Sequence, residues 1–392
     1  MKEIKNSKGN IVKIYAETFE YEAYDQVKKL SNYGPYLDSK IRIMPDAHAG
    51  AGCTVGTTMT ISDKLTPNLV GVDIGCGMLS IELKDRDINL QKLDEIINTK
   101  VPSGFNIHST PQADFDFSNL RCQKHVDLSR AAHSIGSLGG GNHFIELSKG
   151  EDSYYLIIHS GSRKLGGDTC KYYQNLAFQN LNEMGKIKAA IVEKLTRGGR
   201  QKDIQEELKK VRKPATDKEL AHLQGEDFDD YLNDMRIVQQ FASLNREKIA
   251  EIIIREMGFS PRSKLETIHN YIDFKRMILR KGAVSAEEGE PLLIPINMRD
   301  GSLLCVGKGN EEWNYSAPHG AGRLMSRSKA KEQIKLDDFT DSMTGIYSSS
   351  VGQSTLDEAP QAYKSIEEIM EAIKDTVDII KVLKPVYNFK AH

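Results

Sequence analysis

At 392 residues, with 39% hydrophobic and 28% charged side chains, the chain has the material for a large buried core and the composition of an ordinary globular protein. A net charge of −2 excludes a global basic field for nonspecific nucleic-acid binding, although a local basic groove would still suffice to track a phosphate backbone. Five cysteines without paired spacing argue against a disulfide framework; with no bilayer-length apolar run and no signal-peptide core, cytoplasmic residence and no membrane partner are expected.

In chain order, the first third predicts short strands broken by glycine, over 11–15, 41–44, 54–61 and 78–83, with a short helix over 90–98. A further apolar run, Tyr154-Tyr-Leu-Ile-Ile158, leads straight into His159. The middle third is helical: residues 171–196 carry long helix formers, and 227–257 form a long periodic stretch closed by Gly258. Between them the basic-leaning segment Arg197–Lys213 reads as a solvated helical insertion or as an RNA-backbone contact. Strands return around Pro291–Gly307. Near the end, Ile366, Ile369, Met370, Ile373, Val377 and Ile380 fall on one helical face, with Ser365 and Glu368 at capping-box spacing and Pro385 as the stop.

The chemistry-bearing residues are scattered. Asp73 and Cys76 stand three apart in a glycine-flanked turn, where Gly75 and Gly77 permit both side chains to face one point. A carboxylate, a thiolate and several imidazoles suit one or two divalent transition ions, and a thiolate has lone pairs enough to bridge two. His143 follows three glycines and Asn142; it reads as a ligand beside an anion cradle or as a turn histidine at a glycine hinge. His159 is followed by Ser-Gly-Ser-Arg163, small donors plus a forked cation suited to phosphate, or else an ordinary ion-pairing arginine. His269, beside Asn270 and Tyr271, reads equally as a packed ring or a ligand. His319 differs, because glycines flank it and Arg323 and Arg327 follow; that setting suits a nucleophile that forms a phosphoramidate. No Gly-x-x-x-x-Gly-Lys-Ser/Thr loop is present, which argues against a P-loop enzyme. Ligands spread from 73 to 319 favour one compact unit over the two or three domains that length alone suggests.

Taken together, Met44-Pro-Asp46-Ala-His48, Val70-Gly-Val-Asp73-Ile-Gly-Cys76-Gly-Met78, Gly139-Gly-Gly-Asn142-His143-Phe-Ile-Glu146, His159-Ser-Gly-Ser-Arg163, His269-Asn-Tyr271, Arg280-Lys-Gly-Ala283 and His319-Gly-Ala-Gly-Arg323 resemble the RtcB-type RNA ligases in order and wording. Asp357-Glu-Ala-Pro-Gln-Ala-Tyr363-Lys and Phe389-Lys390 match too, so the resemblance covers essentially the whole chain. It implies an α/β (α+β) fold: a single compact domain over 1–392, mixed sheets around a central metal pocket, and a helical subregion at about 171–257. It implies joining of RNA 3′-phosphate or 2′,3′-cyclic phosphate ends to 5′-hydroxyl ends, with GTP and two Mn2+ ions as cofactors. By matched position, Asp73, Cys76, His143, His159 and His269 would bind the ions, Cys76 bridging. His319 would become guanylylated, with Asp46 close by; Asn142 would contact phosphate, and Glu146, Tyr363 and Lys390 would hold guanine. Gly320, Ala321, Gly322 and Arg323 complete the nucleotide loop, and Arg163 is a candidate for RNA phosphate.

Two positions depart from the family pattern. Ala49-Gly50-Ala51 stands where a lysine is common, and Asn297 replaces a serine that helps bind guanosine. These departures suggest a divergent bacterial branch specialised in repairing particular RNAs rather than splicing tRNA, with or without a helper protein. The competing readings are a metal-dependent cyclic phosphoesterase that never ligates, and an RNA-binding accessory protein with a vestigial site.

Overall fold

The computed structural model describes residues 1–181, 184–210 and 217–391. Two large sheets organise them. The six-stranded sheet runs Lys2–Lys5, Ile11–Ile14, Ile41–His48, Val55–Thr60, Ile278–Lys281, Asn270–Asp273 in spatial order. Only the pair Ile11–Ile14 and Ile41–His48 is parallel; the helix Tyr21–Ser31 supplies the crossover that a parallel pair requires. The seven-stranded sheet is antiparallel throughout, in the order Pro261–Ile268, Gly77–Leu83, Tyr154–Ser160, Phe144–Lys149, Val377–Lys390, Gly301–Gly307, Pro291–Asn297. It curls until its outer strands approach, the Leu293 amide donating to Thr267 Oγ1 at 3.1 Å. The architecture is the expected α+β arrangement, although of the two large sheets only the six-stranded one is mixed.

The curl explains why Tyr154–Ser160 is apolar without alternation. Leu156 and Ile158 pack with Ile145, Leu147, Ile249 and Ile253 on one face, while Tyr155 and Ile157 meet Phe144, Leu293 and Leu383 on the other. Both faces are buried, so no position has to be polar. Each such aliphatic side chain contributes about 1.5–3 kcal/mol of burial energy.

The helix Glu226–Met257 lies against this sheet. Glu226, Asp227 and Asp229 complement its N-terminal dipole, and Gly258 at φ 75° ends it in the left-handed region. Two side chains from its middle clamp the loops of the site. Fully buried Arg246 donates to the Gly75 and Ser160 carbonyls, both at 2.7 Å, and is balanced by Glu266 at 2.8 Å. Asn245 accepts from the Gly136 amide at 2.8 Å and donates to the Gly161 carbonyl at 3.1 Å. The helical subregion begins earlier than expected, at Arg163, because Arg163–Leu181 continues directly from the His159 strand. In the basic segment, Arg197 and Arg200 make local ion pairs with Glu193 and Asp203, as a solvated helical insertion does; Arg212 and Lys213 lie outside the described residues.

The C-terminal helix expectation is corrected. The helix spans only Ile366–Ala372, its Ser365 cap accepting from the Glu368 amide, and residues Val377–Lys390 form a strand. The segment 377–383 (Val-Asp-Ile-Ile-Lys-Val-Leu) is rich in β-branched residues, and its pairing with Gly301–Gly307 outweighs the helical periodicity, while residues 384–390 carry the strand on against Phe144–Lys149. Pro385 does not stop this element. It sits where the register shifts between Pro385 and Tyr387, a bulge that tolerates a missing N–H. A similar irregularity in Ile41–His48, between Ile43 and His48, accommodates Pro45 and carries the strand on through Asp46.

Candidate active site

Four neighbouring strands bring the candidate ligands to one end of the seven-stranded sheet. Cys76 precedes Gly77–Leu83, His143 precedes Phe144–Lys149, His159 is the penultimate residue of Tyr154–Ser160, and His269 follows Pro261–Ile268. Antiparallel register makes these ends coincide: Met78 and Phe144 each pair with His159, and Gly77 pairs with Ile268. Cys76 Sγ lies 3.4 Å from Nε2 of His143 and 3.4 Å from Nε2 of His159. His143 Nε2 is 3.0 Å from Asp73 Oδ2, and His159 Nε2 is 3.3 Å from His269 Nε2. Cys76, His143 and His159 form a buried cluster with the arrangement to hold a metal ion.

Electrostatics favour a cation here. His159 and His269 are held neutral because burial drives their pKa values well below the ordinary imidazole range. His159 Nδ1 lies 3.2 Å from the Asn142 carbonyl, to which it donates, leaving its Nε2 lone pair facing His269. That lone pair, beside the neutral His269 ring, a thiol and a carboxylate, fits a divalent ion as partner. Burial and the Asp73 charge push the Cys76 thiol well up, which a bound cation reverses. Asp73 behaves oppositely: burial raises its pKa, but the His143 ring, Cys76 and the Ser162 amide outweigh that and hold it at about 2.

Room for the Asp73 carboxylate depends on Gly161. A Cβ there would lie 2.2 Å from Oδ1 and 2.4 Å from Oδ2. Gly161→Ala is therefore expected to displace the carboxylate and weaken divalent-metal binding by about 10–100-fold, the range set by groups that orient ligands. Metal titration monitored by calorimetry checks this, and unchanged affinity would remove Asp73 from the donor set.

His319 lies next to this cluster, its ring centroid 4.9 Å from that of His269. Asp46, completely buried, accepts from His319 Nδ1 at 2.7 Å and from the His319 amide at 3.2 Å. The carboxylate fixes the tautomer, so Nε2 carries the lone pair.

A cavity of about 380 Å³ extends from the metal cluster past His319 to the end of the C-terminal strand, lined by Asn142, Glu146, Asn297, Gly320, Ala321, Gly322, Arg323, Tyr363 and Lys390. The corrected strand matters here, because pairing of Lys390 with Phe144 and of Asn388 with Glu146 delivers both side chains beside the His143 loop. Lys390 Nζ donates to the Asn142 carbonyl at 3.2 Å. Glu146 accepts from Ser148 at 2.6 Å and Asn388 at 2.8 Å; burial raises its pKa to about 7 against these donors and Lys390.

The sequence reading passed over several residues. Glu358 accepts from Lys390 at 2.7 Å and Tyr363 at 2.8 Å and pairs with Arg327 at 2.7 Å. Burial raises its pKa, but Lys390 and Arg327 outweigh it and hold the carboxyl at about 2. Its signal was its place inside the Asp357-Glu-Ala-Pro run. His48, Lys281 and Asn388 also line the cavity. Two candidates stand apart from the rest. Asn297 lines the cavity, but its side chain is spent on the hairpin turn, accepting from the Arg299 and Asp300 amides and donating to Asp300. Arg163 lies outside the cavity lining, beside the His143 loop: a Cβ on Gly139 would meet both Arg163 Nη1 and His143 Nδ1. Burial lowers its pKa to about 10, with Asp73 opposing and Arg130 reinforcing the shift.

Comparison with known proteins follows the same motifs. The family model described as tRNA-splicing ligase RtcB matches residues 26–126 and 112–391. The chain belongs to this family. An RNA-splicing ligase RtcB of Escherichia coli K12 is 31% identical, over 98% of this chain and 98% of the relative. A tRNA-splicing ligase RtcB of Aeropyrum pernix is 24% identical over 91% and 90%, and one of Thermococcus kodakarensis 25% over 85% and 83%. RtcB membership thus spans the metal cluster, the His319 loop and the C-terminal strand alike.

Proposed function

We propose that this chain is an RNA ligase of RNA repair or tRNA splicing, sealing 3′-phosphate or 2′,3′-cyclic phosphate ends to 5′-hydroxyl ends through a guanylylated His319. The observation that carries the reading is the Asp46–His319 pair, set beside a metal-binding cluster and opening on one cavity. The relatives' names supply the substrate class.

In this reading the His319 Nε2 lone pair attacks the α-phosphorus of GTP; an N–P bond forms, the bond to the β-phosphate oxygen breaks, and pyrophosphate leaves. Asp46 stabilises the positive charge that develops on the imidazole. An oxygen of the RNA 3′-phosphate then attacks the same phosphorus, and the imidazole departs. The 5′-hydroxyl finally attacks the activated 3′-phosphorus, losing its proton, and GMP leaves. Asp73, Cys76, His143, His159 and His269 would hold two Mn2+ ions, which neutralise charge on the phosphates and orient the reacting oxygens. Glu146 presents acceptors suited to the N1–H and amino group of guanine, and Tyr363 and Lys390 bound the same end of the cavity.

We also take residues 1–392 as one ligase unit, since both large sheets supply cavity residues. Among the described residues no helix is long and apolar enough to cross a membrane, and all five cysteines are free and buried. Both facts support action in the reducing cytoplasm. A phosphoesterase that only opened cyclic phosphates would need no guanylylated histidine, so labelling of His319 separates the two readings.

The test is incubation with manganese and GTP labelled on either the α- or the γ-phosphate. Label from the α-position should remain on the protein and label from the γ-position should not; a metal-loaded chain that keeps neither overturns the reading. Asp46→Asn, which permits the wrong tautomer, should slow labelling by about 10²–10⁴-fold. A single-turnover rate within a factor of two of wild type would remove Asp46 from this role.

A further inference from the structure

Phe105 is the most exposed large hydrophobic side chain among the described residues, at 93%. Its loop is nevertheless pinned. The Gly104 amide donates to the Gly139 carbonyl at 2.9 Å, the Leu138 amide to the Pro102 carbonyl at 2.8 Å, and Gly104 takes φ 62° to make the turn. Two arginines hold the same turn from behind: Arg163 Nη2 donates to the Gly104 carbonyl at 2.8 Å, and Arg130 Nη2 to the Phe105 carbonyl at 2.7 Å. Gly139, to which the loop is tied, lies four residues before His143 and directly beneath the Arg163 guanidinium. The phenyl ring is therefore displayed rigidly on the flank of the metal cluster.

The arginines carry a second observation. Arg163 has only neutral acceptors, Ser137 Oγ at 3.0 Å and the Gly104 carbonyl. Among the described residues neither Arg163 nor Arg130 has a carboxylate within ion-pair distance, although partnered arginines are common elsewhere in the chain. Arg163 also holds its backbone at φ 56°, a conformation costly for a non-glycine residue and concentrated at functional positions. Neither cation is ion-paired, and only Asp73 acts on Arg163 from beyond ion-pair distance, so both guanidinium groups can still take an anion. Phosphate is such an anion, and the forked guanidinium matches its geometry.

We propose that Phe105, with Arg130 and Arg163, is the docking surface for the single-stranded RNA 3′ end: the ring stacks a base near the terminus while the guanidinium groups take the adjoining phosphates. An aromatic ring beside a phosphate-binding cation is the combination that recognises unpaired RNA without reading its sequence. The 3′ end is favoured over the 5′-hydroxyl end because a terminal phosphate carries up to two negative charges, and these cations stand at the metal cluster. The proposal rests on the ligase reading, and it extends the cavity's chemistry to a surface outside the cavity lining.

Binding of a short single-stranded RNA, 3′-phosphorylated and fluorescently labelled at its 5′ end, tests it by anisotropy with manganese present. Phe105→Ala should raise Kd about tenfold, and Phe105→Trp should bind like wild type. Making the terminal nucleotides abasic should weaken the wild-type chain by a similar factor and add nothing to the loss in Phe105→Ala. Arg130→Ala should lower the slope of log K on log salt by about 0.7. The proposal is overturned if Phe105→Ala binds normally, if the two losses multiply, if only a 5′-hydroxyl strand labelled at its 3′ end is affected, or if the wild-type chain does not bind. Failure of wild-type labelling by GTP, an assay without RNA, would instead sink the ligase reading.

Discussion

His319→Ala is expected to retain no label from α-labelled GTP and to seal no RNA, while still binding manganese. The expectation follows from which nucleophiles the cavity offers. Lys281 and Lys390 are the rivals, because a lysine amine also forms phosphoramidates. Lys390 is committed to Glu358 at 2.7 Å and to the Asn142 carbonyl at 3.2 Å. Lys281 is buried and donates to the Ala51 and Asn68 carbonyls. Each amine is thus tied to fixed acceptors and is not presented to the open cavity as a nucleophile. His319 differs from the other cavity histidines described in having its Nδ1 held by a carboxylate, and that partner, Asp46, is completely buried. Label persisting on His319→Ala and lost from Lys281→Ala would move the nucleophile to the lysine. Retained manganese affinity in His319→Ala, measured in parallel, separates loss of the nucleophile from collapse of the site.

Much of this site was legible in the sequence because each ligand carries its own local signature. Asp73 and Cys76 share one turn, and His143, His159 and His269 each stand at a strand end, so finding the strands nearly locates the cluster. What sequence could not supply was register. Only the antiparallel pairing of Met78 and Phe144 with His159 shows that these strand ends fall together. The segment after Ile373 was misread because an apolar face at helical spacing and a strand can use the same residues; the distant partner Gly301–Gly307 decides between them. That misreading hid how Lys390 reaches the cavity. Arg246 and Asn245 were silent for another reason. They sit mid-helix among apolar residues, and nothing local marks them as the clamps of the Gly75, Ser160 and Gly161 carbonyls. Glu358 had only its place in the Asp357-Glu-Ala-Pro run as a signal, since its role lies in two distant segments, Arg323–Arg327 and Lys390, as well as nearby Tyr363.

The second large effect belongs to Cys76→Ala. Its sulfur lies 3.4 Å from both His143 Nε2 and His159 Nε2, so among the described residues it faces both halves of the proposed donor set: Asp73 with His143, and His159 with His269. Removing a peripheral ligand would leave the other half with its own donors. Removing the thiolate leaves each half with two, below the three protein ligands usual for a catalytic ion. Both ions should then be lost together, with affinity falling more than about 100-fold and labelling by GTP and RNA sealing disappearing in parallel. The fold should survive, because the lost atom is one buried sulfur among strands paired through their backbones, at a cost of about 1 kcal/mol. Thermal unfolding separates the two effects. Manganese should raise the Tm of the wild-type chain by mass action and leave that of Cys76→Ala unmoved, while the metal-free Tm values stay within a few degrees. Cys76→Ser, with a harder oxygen at a shorter reach, should recover little. A Cys76→Ala chain that still binds two ions at wild-type affinity would show that the sulfur bridges nothing, and the two halves would then have to be treated as independent sites.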